Sequence, residues 1–557
     1  MKRSTAAALL AILLLAALMR LLPLLQHLHW GSDFGEYYAL TRAIVDDGVL
    51  PAAYGGWGLT YPQFPGLYVV NGAFVLAGAS PDFAATVLVP VLSAFAVLPV
   101  FLIAARVSGE DVAGLVAAAF LGVVLFTVYP ASHAIPASLG ELLLLGALLL
   151  FLGLRRSPAV FAPLLLSGWA VVVTHHLATY VLILAATSAL LLRCLLDARI
   201  TLRSIRWEFA FLAILVASTL VFWRFSAPSF WSLVVTKSPA TGEVLVAAAI
   251  GLLALVPATI VLRRRLSWRF RPRLRSVRGA TLAVGLAVIT SFVIVGIAAK
   301  TSVAGTTIRL DWVYLFPFIP TFLFLSIAAA GRRVLDFTRE GASVTAWFVV
   351  LIASLAVGSV AAPEVLIPYR HLEYLAVPVA VMVGAGVRWL TLGAETRAQV
   401  RAIAAVGLLV AGTALAAYPK PVAVAGFQEG ISPRSVEAAL WIRTHADGLA
   451  AGDHRLSSVL FGFGGVDATW NREVRFWHTE DTALTLAAMA QVRLPSGTAP
   501  VEWVAIDGDL RAGLQTSPFA PALPLTPGEE ARFLRPPFQK TFDSGSAQVY
   551  WVNWGLA

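Results

Sequence analysis

The chain is a succession of apolar runs with short polar breaks, from its first residues to Tyr418. Runs of about 18–20 apolar residues are long enough to cross a hydrocarbon core roughly 30 Å thick as α-helix. Thirteen such segments can be read, at about 5–25, 83–106, 111–128, 138–154, 158–174, 177–195, 207–224, 244–262, 279–299, 312–330, 344–362, 371–391 and 400–418. Those at 158–174 and 177–195 meet at Thr174-His175-His176, and the orientation of everything downstream depends on their being two. After Tyr418 the pattern changes. Ser432-Pro433 reads as an N-cap and first helical position, opening an amphipathic helix through Val436, Ala439, Leu440 and Ile442. Val501–Ile506 and 547–552 read as strands. The expected fold is a polytopic α-helical membrane protein of about thirteen spans over 1–418, followed by an extracytoplasmic soluble α/β domain over 419–557.

Composition supports the membrane class. Of 557 residues, 59% are hydrophobic and 13% charged, with a mean hydropathy of +0.80, whereas soluble domains carry about a quarter charged residues. With the N-terminus in the cytoplasm, the cytoplasmic segments before Tyr418 hold 23 Lys and Arg and the external loops hold six. That asymmetry is what the positive-inside rule expects. The net charge of +10 is therefore read as topology and contact with anionic lipid, not as a nucleic-acid surface. The first run continues through Arg20-Leu21-Leu22 without a small-residue cleavage site, so it reads as a retained helix. Cys194 is the only cysteine, which excludes an intrachain disulfide.

The first external loop, about 26–82, is the longest of the membrane part. It begins Trp30-Gly31-Ser32-Asp33-Phe34-Gly35-Glu36-Tyr37-Tyr38 and continues through an amphipathic stretch at 36–44 to Tyr61-Pro62-Gln63-Phe64-Pro65-Gly66. Asp33 and Glu36, three apart, share one face if the loop turns helical. They read as general base or metal ligand, or else as the acidic start of a helix. Glu141 lies one turn inside an apolar helix, after a compact loop containing His133. An acid there faces a cavity or a partner. With Asp33, and with His133 as a further ligand, it would suit a hard divalent cation such as Mg or Mn. Arg370-His371-Leu372-Glu373-Tyr374 opens the twelfth run at its outer end. Arg370 can grip a phosphate bidentately or pair with Glu373, with His371 beside it. Lys300 and Arg309 are further candidate phosphate cations. No Walker loop, GxGxxG or HExxH motif occurs.

In order and placement these segments resemble the GT-C superfamily of polytopic glycosyltransferases, the oligosaccharyltransferases, protein mannosyltransferases and aminoarabinose transferases, particularly prokaryotic and archaeal members. The segment 30–38 looks like that family's first acidic motif, 61–66 like the proline-glycine segment after it, and 132–141 occupies the place of the second acidic motif. The segment 370–378 resembles the Arg/Tyr/Pro stretch near the donor phosphate, and Ala438-Ala439-Leu440-Trp441-Ile442 and Phe542-Asp543-Ser544-Gly545 resemble archaeal tail segments. Three departures stand out. The tail has no Trp-Trp-Asp triplet, the fifth external loop is reduced to about 300–311, and the second acidic motif has no Asp-x-Asp.

The resemblance implies an inverting hexosyl- or pentosyltransferase of the cell membrane. Its donor would be a polyprenyl-phosphate-linked sugar, such as a dolichyl phosphate. The acceptor would be a glycan, lipid or protein at the outer face, and no nucleic acid takes part. It implies Asp33 as catalytic carboxylate and Arg370, with Lys300 or Arg309, at the departing phosphate. The competing class is a polytopic transporter or lipid flippase with an external cap. The clustering of polar groups at the outer ends of the runs disfavours it, because transporters place them at mid-membrane.

Overall fold

The computed structural model describes residues 2–51, 54–154, 157–197, 199–237, 241–263, 316–335, 339–361, 363–393, 395–419, 429–470, 476–494, 497–514 and 523–556. Among them, nine helices are long and apolar enough to cross a membrane. A tenth span would be the bent pair Asp111–Val123 and Leu125–Ala131, turned by 54° at Val124. Two further expected segments fall on shorter apolar helices, Pro158–Thr174 and Phe316–Arg332, and the one at 279–299 lies outside the described residues. The described apolar runs are thus helical, as the hydropathy suggests. In a bilayer only a helix satisfies every backbone N–H and C=O within its own segment.

Two helices follow the first span outside the bundle. Phe34–Asp47 covers the amphipathic 36–44 stretch and ends at Gly48, whose φ of +73° closes the last turn on the Ile44 carbonyl. Gly66–Leu76 is a short apolar helix that begins at the end of the Tyr61–Gly66 segment.

The C-terminal part is built on a four-stranded sheet in the order Leu449–Ala451, Val501–Ile506, Gln548–Val552, Phe538–Asp543. The first pair is parallel and the others antiparallel. Helix Pro433–His445 starts as its sequence dictates, with Ser432 Oγ accepting from the Ser435 N–H at 3.1 Å and proline at the first position. Its Val436, Ala439 and Ile442 share one face and join Leu449, Val504 and Val549 in a common core. Asp507 is the polar hub of this part. It accepts from the Ser435 hydroxyl at 2.6 Å, from Arg455 at 2.7 Å and from the Leu510 N–H at 2.8 Å, tying three helix starts to one carboxylate.

The two parts are joined by backbone as well as side chains. His29–Trp30 pairs antiparallel with Gly430–Ile431, and the Gly31 N–H donates to the Glu429 carbonyl at 2.8 Å. Helix Phe34–Asp47 lies against the C-terminal segment 454–464 at contact distance. A Cβ at Gly35 would sit 1.8 Å from the Ser458 carbonyl oxygen, and one at Gly462 would sit 2.3 Å from the Gly35 carbonyl oxygen. Phe34, Tyr38 and His29 stack on Phe463 beside this crossing, at 6.3, 4.5 and 5.4 Å between ring centres.

Alanine at Gly35 or Gly462 therefore meets backbone that no rotamer change can clear. Each substitution is expected to cost about 1–3 kcal/mol or more and to loosen the C-terminal part from the first loop. Thermal unfolding with limited proteolysis of the full chain in detergent measures this, and a protease pattern and midpoint equal to wild type would contradict it.

Candidate functional site

Asp33 stands at the start of helix Phe34–Asp47, where the close crossing just described brings in the C-terminal part. Its Oδ1 lies 2.7 Å from His454 Nε2, and its Oδ2 accepts from the Tyr61 hydroxyl at 2.8 Å. His454 is itself the first residue of helix His454–Val459, fixed there by Asp453, whose carboxylate caps Leu456 N at 2.8 Å. The next residue, Arg455, is fully buried on Asp507. The His454 side chain is 1% exposed and that of Asp33 22%, so the carboxylate is the member of the pair that solvent reaches.

The charges follow from these contacts. Burial pushes the Asp33 carboxyl up, but the hydrogen bond and charge of His454, the Tyr61 hydroxyl and the Arg370 guanidinium outweigh it and hold it below the usual carboxylate range. Burial pushes His454 down, and Asp33, then Glu36 and Asp453, bring it above its ordinary value. Glu36 goes the other way, pushed up to about 8 by burial and by the Asp33 charge. Glu429 also reaches about 8, through burial and Asp33 against the hydrogen bond from Ser32 N. Burial takes His133 down to about 3, leaving its imidazole neutral. These contacts favour the ionised form of Asp33 and the protonated form of His454, while Glu36 and Glu429 hold their protons into the neutral range.

The other residues singled out from the sequence divide between this site and other places. Arg370 and His133 lie within electrostatic range of Asp33. Glu36 is buried and fully occupied, accepting from Tyr54 Oη at 3.0 Å, Trp57 N at 2.8 Å and Gly58 N at 3.4 Å. It clamps the 54–58 turn beneath the site. Glu141 lies with Arg20 and Glu373 inside the bundle, and Asp33 is not among its partners. A position one turn into its helix sets it beside Arg20, near the C-terminal end of the first helix. His371 Nε2 lies 2.9 Å from Ser354 Oγ, turned into the bundle. Lys300 and Arg309 lie outside the described residues.

A divalent cation has limited purchase here. Among the described residues no group of three or more His, Cys, Asp or Glu side chains is arranged to hold a metal ion. Two candidate donors stand out: Asp33, with unused lone pairs on both oxygens, and His133, whose buried Nε2 makes no hydrogen bond among the described residues. Glu429 Oε1 is 3.9 Å from that nitrogen.

Tyr61 was visible in the sequence only as part of a proline-glycine segment, and His454 and Glu429 carried no motif. The one available signal was Asp453-His454-Arg455, three ionisable residues at a helix start in apolar surroundings.

The sign of each shift sets a pH window for the Asp33–His454 pair. Its stabilisation is full between about pH 4 and about pH 6.5. It is lost on acidification through the depressed Asp33 pKa and on alkalinisation through the raised His454 pKa. Proton NMR of labelled His454 is expected to show a midpoint above about 6.5 that drops in Asp33→Asn. A midpoint unchanged by that substitution would contradict the pair.

No family model and no curated protein matches the sequence. Solved structures do. The oligosaccharyltransferase of Archaeoglobus fulgidus in its apo form superposes with a TM-score of 0.58 at 13% identity, covering 92% of this chain and 70% of that one. The oligosaccharyltransferase AglB of that archaeon, in complex with an inhibitory peptide and a dolichol-phosphate, gives 0.57 at 12%, covering 91% and 70%. A complex of the A. fulgidus enzyme with Zn and sulfate gives 0.56 at 13%, covering 90% and 68%. At such identity the likeness is one of fold, and it runs through the helical bundle and the C-terminal part together: the chain has the fold of these archaeal oligosaccharyltransferase structures.

Proposed function

We propose that this chain is a multi-pass glycosyltransferase of the cell membrane. It would move a sugar from a polyprenyl-phosphate-linked donor to a glycan, lipid or protein acceptor on the outer face. One observation carries the reading. Asp33, just past the end of the first span, is kept ionised by His454 and Tyr61 while remaining partly exposed, with the Arg370 charge in range. The GT-C fold and the separation of 23 cytoplasmic from six external basic residues support it. The same topology gives a cytoplasmic N-terminus, thirteen spans over 1–418 and an extracytoplasmic unit over 419–557.

In the proposed reaction the acceptor hydroxyl attacks the anomeric carbon as the bond from that carbon to the phosphate oxygen breaks. The polyprenyl phosphate leaves with the bonding pair, and a single displacement inverts the configuration. Asp33 accepts the hydroxyl's hydrogen bond and then its proton. Arg370 faces the charge that grows on the departing phosphate, where a fixed guanidinium is most effective. Lys300 and Arg309 are proposed as further cations for that group. His371 acts through Ser354, holding the start of the Arg370 helix, and Glu36 acts through the turn it clamps. A Mg or Mn ion would be held by Asp33 and His133 together with donor phosphate, and would supply charge to the leaving group. Glu141 is not needed for it.

The test uses purified protein in nanodiscs with a panel of labelled polyprenyl-phosphate sugars and mixed acceptors. Asp33→Asn is expected to lower transfer by about 10²–10⁴-fold and Arg370→Ala by about 10²–10³-fold, with Arg370→Lys between Arg370→Ala and wild type. Full transfer in Asp33→Asn would overturn the assignment. Donor movement across sealed vesicles without sugar transfer would favour a transporter instead.

A further inference from the structure

The proposed chemistry leaves two polar atoms beside Asp33 unused. His454 Nδ1 and Trp470 Nε1 are both buried, and neither has a hydrogen-bond partner among the described residues. Their side chains belong to residues 1% and 3% exposed, with ring centres 6.2 Å apart. Folded proteins rarely leave buried polar ring nitrogens unmatched, because the lost hydration is not recovered. Two together, next to the Asp33 carboxylate, point to polar atoms of a ligand that arrives from outside. Trp470 also adopts a φ of +58°, which a bulky residue holds only under constraint and which concentrates at binding sites.

The surroundings define what could arrive. The Trp57 ring lies edge-on to His454 at 5.0 Å, Phe461 is 5.7 Å from Trp470, and Tyr54 is 5.6 Å from Phe461. Trp57, Phe461 and Tyr54 are half-buried. Aromatic rings with unmatched N–H donors suit a molecule with apolar C–H faces and many oxygen acceptors. A pyranose or furanose ring has both. We propose that Trp57, Trp470 and His454 form the acceptor subsite, and that it takes a saccharide whose reacting hydroxyl is set against Asp33. This rests on the catalytic reading of Asp33 and narrows the acceptor from glycan, lipid or protein to a sugar ring.

Saturation-transfer NMR on the full chain in nanodiscs tests the subsite without knowledge of the donor. The probes are methyl α-mannoside, methyl β-glucoside, maltose and a peptide containing Asn-Val-Thr. At least one saccharide is expected to bind. Its affinity should fall about tenfold in Trp57→Ala and about fivefold in Trp470→Phe, which keeps a ring but removes the N–H. Asp33→Asn should retain the saccharide while losing transfer. Absence of saccharide binding, equal binding in both tryptophan variants, or peptide binding that Trp57→Ala abolishes would overturn the proposal. Saccharide binding intact with transfer intact in Asp33→Asn would sink the catalytic reading alone and leave the sugar site standing.

Discussion

The contact between Asp33 and His454 is the constraint on which the rest of the site depends, and it is possible only because backbone meets backbone beside it. Burying an imidazolium and a carboxylate costs several kcal/mol per ion, on the order of what their attraction returns. The geometry must therefore be held from both sides. Gly35 and Gly462 let helix Phe34–Asp47 and the 454–464 segment approach without side chains between them. Behind His454, Arg455 is locked onto Asp507, the carboxylate that also anchors two other helix starts. The C-terminal part thus supplies one half of the ion pair and the rigidity that keeps it in place.

Crowding of acids then decides their protonation. Asp33, Glu36 and Glu429 lie near one another in a low-dielectric setting, and like charges so placed cannot all ionise. The single member with a cationic partner keeps the charge. The other two, each about 8, carry their protons at neutral pH and serve as hydrogen-bonding struts. Glu36 shapes the turn that carries Trp57, and Glu429 holds Ser32, the residue before Asp33. Three carboxyls brought together by the fold are therefore one charge in the structure.

The bundle was legible because hydropathy acts locally: a run of apolar residues in lipid has almost no alternative to helix. The Ser432-Pro433 helix start and the strand Val501–Ile506 were legible for the same reason, since capping and alternation are short-range signals. Asp33 stood out because an acid at a membrane exit needs an explanation. Its partner did not, since His454 lies 421 positions away and no periodicity links the two. Glu141 shows the opposite error. Its burial was readable, but its company was not: whether it faced Asp33 or Arg20 depended on how three helices rotate against each other. Long-range pairing is the information a single sequence withholds.

The two-residue ladder between His29–Trp30 and Gly430–Ile431 has one more implication. It stitches the tail to the chain immediately after the first span, only a few positions from Asp33. Lifting the cap like a lid would have to peel these strands and drag the carboxylate along, destroying the centre it was meant to expose. The C-terminal part and the carboxylate therefore ride together, and whatever reaches Asp33 does so with these strands still paired.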